Sequence, residues 1–244
     1  MANGAQPTLV FVHGGQHTGA CWAPTIDAIR RVEPAQPTLA VDLPGHGAEP
    51  GDLATLTIRQ CVDSVVRQIS QAGADQVVLI GHSMAGITLP GVATALGADR
   101  VRRMVYIACC VPPQGGTVMS TLKPPVSWIA GAMGRWVKVS KPLPGPVAAW
   151  MFANGMTKEQ KKAVVAGLVG ESAVVTKEPV DRSTMPELPT TWMLTTRDHS
   201  LRPPLQRAFI ANLGHVDEVV ELDSCHNVMM SDPDHLAALL LARR

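Results

Sequence analysis

The sequence contains no concentration of lysine and arginine. Its 244 residues sum to a net charge of +1, and no dense basic run interrupts it. That argues against nucleic acid or an anionic membrane surface as partner, since both need an electropositive footprint. No stretch approaches the roughly 18 consecutive apolar residues that a membrane-spanning helix requires. The opening "MANGAQPTLVFVHGG" lacks the basic segment and long apolar run of a secretory signal. The expectation is a soluble, cytoplasmic protein. Its five cysteines (Cys21, Cys61, Cys109, Cys110 and Cys225) are odd in number and form no CxxC pair. They read as buried thiols, so neither a disulfide frame nor a metal is expected. No internal repeat or long low-complexity tract appears.

What is present is core material in a regular rhythm. With 46% hydrophobic residues, the chain suits one large domain or a core with an insertion. Short apolar strand-like runs at "TLVFVHG" (8–14), "TLAVDL" (38–43), "QVVLIG" (76–81) and "VRRMVYIA" (101–108) alternate with helical patterns at 22–32, 57–73 and 83–96. Continuous apolar strands between helices predict a mostly parallel sheet covered on both faces. The rhythm breaks after Val111 in proline and glycine punctuation such as "VPPQGG" and "SKPLPGP", with a helix expected at 157–169. It resumes with strands at 190–196 and 217–222 and helices at 205–214 and 232–244. The expected organisation is a core of residues 1–111 and 189–244, about six strands in all. Residues 112–188 are read as an inserted helical cap.

Ligand sites in such sheets lie at the carboxyl ends of the strands. The third strand delivers "GHSMAG" (81–86). A serine forced into a sharp strand-to-helix turn becomes an exposed nucleophile if the residues two before and two after it are small. Here these are Gly81 and Ala85; the usual pattern has glycine in the second place, and Gly86 follows one residue later. The first strand delivers "HGGQHTG", where glycines allow close backbone approach to a substrate oxygen. By position, the amides of Gly15 and Met84 would form an oxyanion hole.

The strand at 190–196 delivers "TTRDHS", and the last strand delivers "DSCHNVMMSDP". Asp198 and His226 thus follow Ser83 in the order of a Ser…Asp…His triad. The fourth strand is followed by "IACCVPPQGG", which holds no competing carboxylate. Asp223 is the second candidate acid. His199 is a competing base on the wrong loop.

These segments resemble the α/β-hydrolase superfamily, and most of all its branch of small plant methylesterases (the salicylate-binding esterase type) and hydroxynitrile lyases. "LVFVHGGQHTGACW" is similar to that branch's opening strand and HG-x-x-H-G-x-x-W segment, and "VVLIGHSMAG" to its GHS-x-G-G elbow. "LTTRDHSLRPPLQRAFIANLG" and "CHNVMMSDPDHLAALL" are similar to its acid and histidine loops. The resemblance implies the α/β-hydrolase fold and a cofactor-free hydrolase of a small, fairly apolar carboxylic ester, a methyl ester or lactone included.

Two other activities on the same scaffold stay open: a cofactor-free dioxygenase or C–C lyase, and a ligand receptor with little turnover. The lysine that follows the histidine in the lyases has no counterpart in "CHNVMM". Trp128, Trp136 and Trp150, with Phe152, are candidates to line the substrate pocket, the alternative being cap core. His17 is a candidate for the pocket mouth, and His13 reads as structural. His82 is expected to pack behind the elbow. His46, His215 and His235 are expected in surface loops. Oligomeric state is left open.

Overall fold

The chain first lays down β1 (Thr8–Val12), α1 (Ala23–Val32), β2 (Thr38–Val41), α2 (Ile58–Gln71), β3 (Val77–His82), α3 (Leu89–Leu96) and β4 (Val101–Ile107). Then come β5 (Val139–Ser140), α4 (Gly145–Phe152), α5 (Lys158–Ala166) and β6 (Glu171–Ser172). It ends with β7 (Thr190–Thr195), α6 (Pro203–Leu213), β8 (Glu218–Leu222), α7 (Val228–Ser231) and α8 (Pro233–Leu241). This computed structural model describes residues 6–121 and 137–244. No helix among the described residues is long and apolar enough to cross a membrane.

Six strands form one sheet in the order β2-β1-β3-β4-β7-β8, and every pairing is parallel. The central strands β3 and β7 are buried at every position. That is why β3 opens as a continuous apolar run, while in β7 Trp192, Met193 and Leu194 stand between buried threonines. Edge strand β8 instead alternates half-buried and exposed residues over its first four positions.

Side chains leave a strand alternately to its two faces. Leu9 and Phe11 of β1 join Ile26 and Ile29 of α1 and Leu236 and Leu240 of α8 on one face. Val10 and Val12 join Val62 and Val65 of α2, Val92 of α3 and Phe209 of α6 on the other. Each such side chain, fully buried, stabilises the fold by about 1.5–3 kcal/mol.

Between β4 and β7 the chain leaves the sheet. Strands β5 and β6 pair as a short antiparallel ribbon. A reciprocal cap between Thr157 and Gln160 starts α5. Helices α4 and α5 share a separate apolar cluster built from Ala148, Phe152, Met156, Val164 and Leu168, which also takes in Cys225.

The helix expected from Ser83 does not begin there. A 3₁₀ turn spans Ser83–Ile87, and α3 starts at Leu89 with Pro90 in its first turn. A proline is tolerated only where its missing N–H has no intrahelical partner, so Pro90 sets the start of the α-helix.

The departure from the usual elbow pattern has a steric explanation. A Cβ on Gly81 would lie 3.1 Å from the Ala85 methyl and 2.6 Å from Leu89 Cδ1. The two small positions face each other, and the bare Gly81 leaves room for one methyl. Gly86 has no such latitude, because a Cβ there would meet the Cys110 carbonyl at 2.4 Å.

Urea unfolding tests this division. Gly86→Ala should cost about 1–3 kcal/mol through overpacking. Ala85→Gly should cost about 1 kcal/mol or less, the penalty for glycine's freedom. Equal effects would refute the assignment.

Candidate active site

Ser83 ends the straight run of β3 with φ of 52°, in the left-handed region. A non-glycine residue rarely sits there, and such strain persists only where surroundings over-determine it. The Ser83 carbonyl accepts from Cys110 N–H at 2.8 Å. The β1 loop crosses directly in front: a Cβ on Gly14 would lie 2.7 Å from Ser83 Cβ. Ser83 Oγ lies 3.0 Å from His226 Nε2, and His226 Nδ1 lies 2.7 Å from Asp198 Oδ2. His226 and Asp198 are buried, while Ser83 is half-buried.

The acid loop holds its carboxylate with several donors. Asp198 Oδ1 accepts from the amides of Ser200 and Leu201, both at 2.7 Å. Its Oδ2, shared with His226, also accepts from Thr195 Oγ1 at 2.9 Å. Because Oδ2 is an acceptor, the His226 proton sits on Nδ1 and leaves Nε2 free to accept from Ser83.

Behind the loop, fully buried Gln206 on α6 donates to the carbonyls of Leu201 (2.7 Å) and Thr195 (3.1 Å). Sequence reasoning missed Gln206. Its signal is a polar residue on an apolar stripe, four and seven places before Ile210 and Leu213.

Asp223 is not placed to serve as the acid. Its side chain is largely exposed and paired with Arg197 at 2.9 Å. His199 is directed away as well: Nδ1 bonds the Trp150 carbonyl at 3.0 Å, and its ring packs against the Trp150 indole.

Two histidines hold the peptide planes of the β1 loop. Leu43 N–H donates to His13 Nε2 at 3.0 Å, so the His13 proton is on Nδ1, which donates to the Gly14 carbonyl at 2.8 Å. In a trans peptide the N–H points opposite the C=O. Holding Gly14 O therefore sets the direction of Gly15 N–H. His17 Nδ1 donates to the Gly15 carbonyl at 2.8 Å, and its Nε2 accepts from Asn227 Nδ2 at 2.9 Å. Burial lowers the pKa of both rings to about 4 against opposing bonds to Gly14 and Gly15.

His17 therefore does not stand at a pocket mouth; it is buried with both ring nitrogens engaged. His82 does lie behind the elbow. Its Nε2 bonds the His226 carbonyl at 3.0 Å, and its ring centroid is 4.5 Å from that of His226. Burial, and then His226 nearby, push its pKa well down.

Trp150 is 53% exposed and lies against His199. Phe152, two residues on, faces the site instead, 5.5 Å from the His226 ring. A helix turns by about 100° per residue, so positions two apart face different ways. Trp128 and Trp136 lie outside the described residues. The amide of Met84 opens the 3₁₀ turn after Ser83, where the first N–H groups have no partner in the turn itself.

His46 corrects the surface-loop expectation: it is 2% exposed and bonded to Glu171. No motif marks Glu171. All five cysteines are buried free thiols. Among the described residues, no cluster of three or more His, Cys, Asp or Glu side chains is suited to a metal.

Comparison with known proteins agrees with this architecture. A family model described as the alpha/beta hydrolase family matches residues 9–239. Methylesterase 18 of Arabidopsis thaliana is 24% identical over 96% of this chain and 95% of its own length. The chain spans less than half the length of several other curated relatives that it matches. The carbendazim-hydrolyzing esterase of a Nocardioides species is 31% identical over 47% of this chain and 46% of its own. Among solved structures, an extracellular alpha/beta-hydrolase from a Paenibacillus species superposes with a TM-score of 0.84. It shares 22% identity and covers 97% of this chain and 98% of its own, a likeness of fold.

The buried histidines give a test by pH. His13, His17 and His82 stay neutral in the fold, whereas their unfolded counterparts take up protons near 6.5. Their contribution is intact above that value and is lost as pH falls toward about 4, where folded His13 and His17 begin to protonate. His46, with its raised pKa, works in the opposite sense. Three against one predicts a falling urea midpoint from pH 7.5 to 5, with a shallower fall in His17→Gln. A midpoint that rises on acidification would contradict the neutral assignment.

Proposed function

The chain belongs to the alpha/beta hydrolase family, and on that premise we propose that it is a carboxylic ester hydrolase whose nucleophile is Ser83. The observation that carries this reading is the continuous line from Ser83 Oγ through His226 to Asp198, with contacts of 3.0 and 2.7 Å. One relative matched along nearly its whole length is a methylesterase, which favours a small ester as substrate.

In the proposed reaction, Ser83 Oγ attacks the ester carbonyl carbon as His226 Nε2 takes its proton. Asp198 holds the ring in the required tautomer and stabilises the imidazolium that forms. The carbonyl π electrons move to oxygen, where the amides of Gly15 and Met84 receive the oxyanion. Such preorganised donors act without reorienting as charge develops, and losing one typically costs about 3–4 kcal/mol. The tetrahedral species collapses, and His226 passes its proton to the leaving alkoxide. Water then repeats the sequence on the acyl-enzyme, with His226 as base, and releases the carboxylic acid and free Ser83.

The loops that carry this chemistry are held by groups with no part in bond making. His13 and His17 hold the peptide planes around Gly15. The Ser200 and Leu201 amides hold Asp198. After His226 comes Asn227, a neutral amide already bonded to His17. That arrangement disfavours the lyase alternative, which by resemblance places a cation there.

A fluorophosphonate probe followed by peptide mapping tests the assignment, together with turnover of short p-nitrophenyl esters, methyl esters and lactones. Wild type should acquire one adduct, on Ser83. Ser83→Ala should lose it and fall about 10⁴-fold or more in kcat/KM. Asp198→Asn should keep the fold while losing about 10⁴-fold in kcat, because the imidazole tautomer is wrong. Folded wild-type protein that takes no adduct would overturn the reading.

A further inference from the structure

A second buried ionic group lies outside the line from Ser83 to Asp198. Glu171, on β6, is 7% exposed. Its Oε2 accepts from the Gln16 amide at 2.9 Å and lies 3.2 Å from His46 Nε2. Its Oε1 accepts from the Ser172 amide at 2.7 Å. The other His46 ring nitrogen, Nδ1, faces the Pro44 carbonyl at 3.2 Å. Both partners of the ring are acceptors, so both nitrogens carry protons and the ring is an imidazolium. Burial alone would lower its pKa, but the bond and charge of Glu171, with the Pro44 and Leu43 carbonyls, raise it. Around the pair lie the His13 ring, 5.1 Å from that of His46, and the Cys61 thiol, which burial and the carboxylates of Glu171 and Glu178 push up to about 12.

The carboxylate reaches one particular peptide. The Gly15–Gln16 unit is held at its oxygen by His17 Nδ1 and at its N–H by Glu171. Gln16 has φ of 60°, a left-handed value for a non-glycine residue. Its remaining polar groups are bonded to the same stretch of chain between β4 and β7. Its carbonyl accepts from Val169 N–H (2.9 Å), its Nε2 donates to Lys141 O (3.1 Å), and its Oε1 accepts from Leu143 N–H (3.1 Å). A Cβ on Gly15 would lie 3.3 Å from Glu171 Oε2 and 3.4 Å from Met84 Sδ, so Glu171 approaches the proposed oxyanion donors closely.

We propose that Glu171 is a positioning residue for the oxyanion loop: it holds the Gly15–Gln16 peptide from outside the sheet and so keeps Gly15 N–H aimed at the reacting oxygen. The proposal rests on the esterase reading above. A lone carboxylate so close to a developing oxyanion would oppose it by charge repulsion. His46 removes that objection, since an imidazolium on the same oxygen makes the pair neutral overall. Glu171 touches no reacting atom; its effect passes through the backbone of Gln16. The inserted segment thus contributes to catalysis through its hydrogen bonds to the loop, in addition to any part in choosing substrate.

The test compares wild type, Glu171→Ala and Glu171→Gln with p-nitrophenyl butyrate as substrate. It adds inhibition by a trifluoromethyl ketone, which forms an oxyanion on Ser83, and by butyrate, which does not. Misaiming one donor should lower kcat by about 10- to 100-fold in Glu171→Ala. KM and butyrate inhibition should stay within about threefold. Trifluoromethyl ketone affinity should fall in step with kcat/KM.

Glu171→Gln keeps an acceptor for Gln16 N–H but loses the charge that holds His46, and should lose less, about 3- to 10-fold in kcat. It is near-isosteric and carries the test if the alanine variant does not fold. A kcat within about threefold of wild type in the folded variants, or a loss confined to KM, would overturn the proposal. Ser83 labelling in wild type separates the two failures. With labelling intact, a null result sinks only the role of Glu171; without it, the esterase reading falls and takes this inference with it.

Discussion

The left-handed backbone of Ser83 is the constraint around which the site is organised. A side chain at φ of 52° is lifted clear of the strand, at a cost of order 1–3 kcal/mol that neighbouring contacts must offset. Those contacts come from three other strand ends. Cys110, after β4, bonds the serine carbonyl. Gly14, after β1, lies so close that a side chain there would overlap Ser83. His226, after β8, takes the hydroxyl. Within the turn itself, Gly81 and Ala85 divide a space that admits one methyl, and Gly86 admits none.

Five histidines surround this turn, and their protons are sorted by burial and by the partners each ring meets. His13 and His17 face a donor on one nitrogen and a carbonyl on the other, so they remain neutral. His82 is neutral through burial and the nearness of other rings. His46 meets acceptors on both sides and carries charge only because Glu171 compensates it. His226 lies between a hydroxyl and a carboxylate. Among the described residues, ionic charge in the buried site is thereby carried by Asp198 and by the His46–Glu171 pair. A low-dielectric site tolerates charges on those terms, paired or well hydrogen-bonded.

Much of the frame is legible in the linear order of residues. Hydrophobic runs of five or six residues, spaced by helical patterns, yield the parallel sheet because backbone pairing and two-sided burial leave few other solutions. Parallel strands all end on one side, so a residue just past a strand end has a predictable place. That is why Ser83, Asp198 and His226, chosen by their strand ends, are neighbours in the fold. The same rule cannot rank side chains within a loop. Asp223 and Asp198 both follow strands, and only the folded loops show the first turned toward Arg197 and the second toward His226. Nor does it set where α3 begins, which Pro90 decides by lacking an N–H.

The sequence by itself determined what local pattern and strand order dictate: the sheet, the elbow, and which loops meet at its carboxyl edge. Only the tertiary structure decided the rest, through contacts between residues far apart in the chain. His46 reads as a residue of a polar loop, yet a carboxylate 125 positions later buries and charges it. Nothing in "HGGQHTG" singles out Gln16, yet four of its polar groups are bonded to the segment between β4 and β7. Periodicity reports how an element meets its neighbours, because burial repeats along it. A hydrogen bond between two loops repeats nowhere, so no pattern in the sequence announces it.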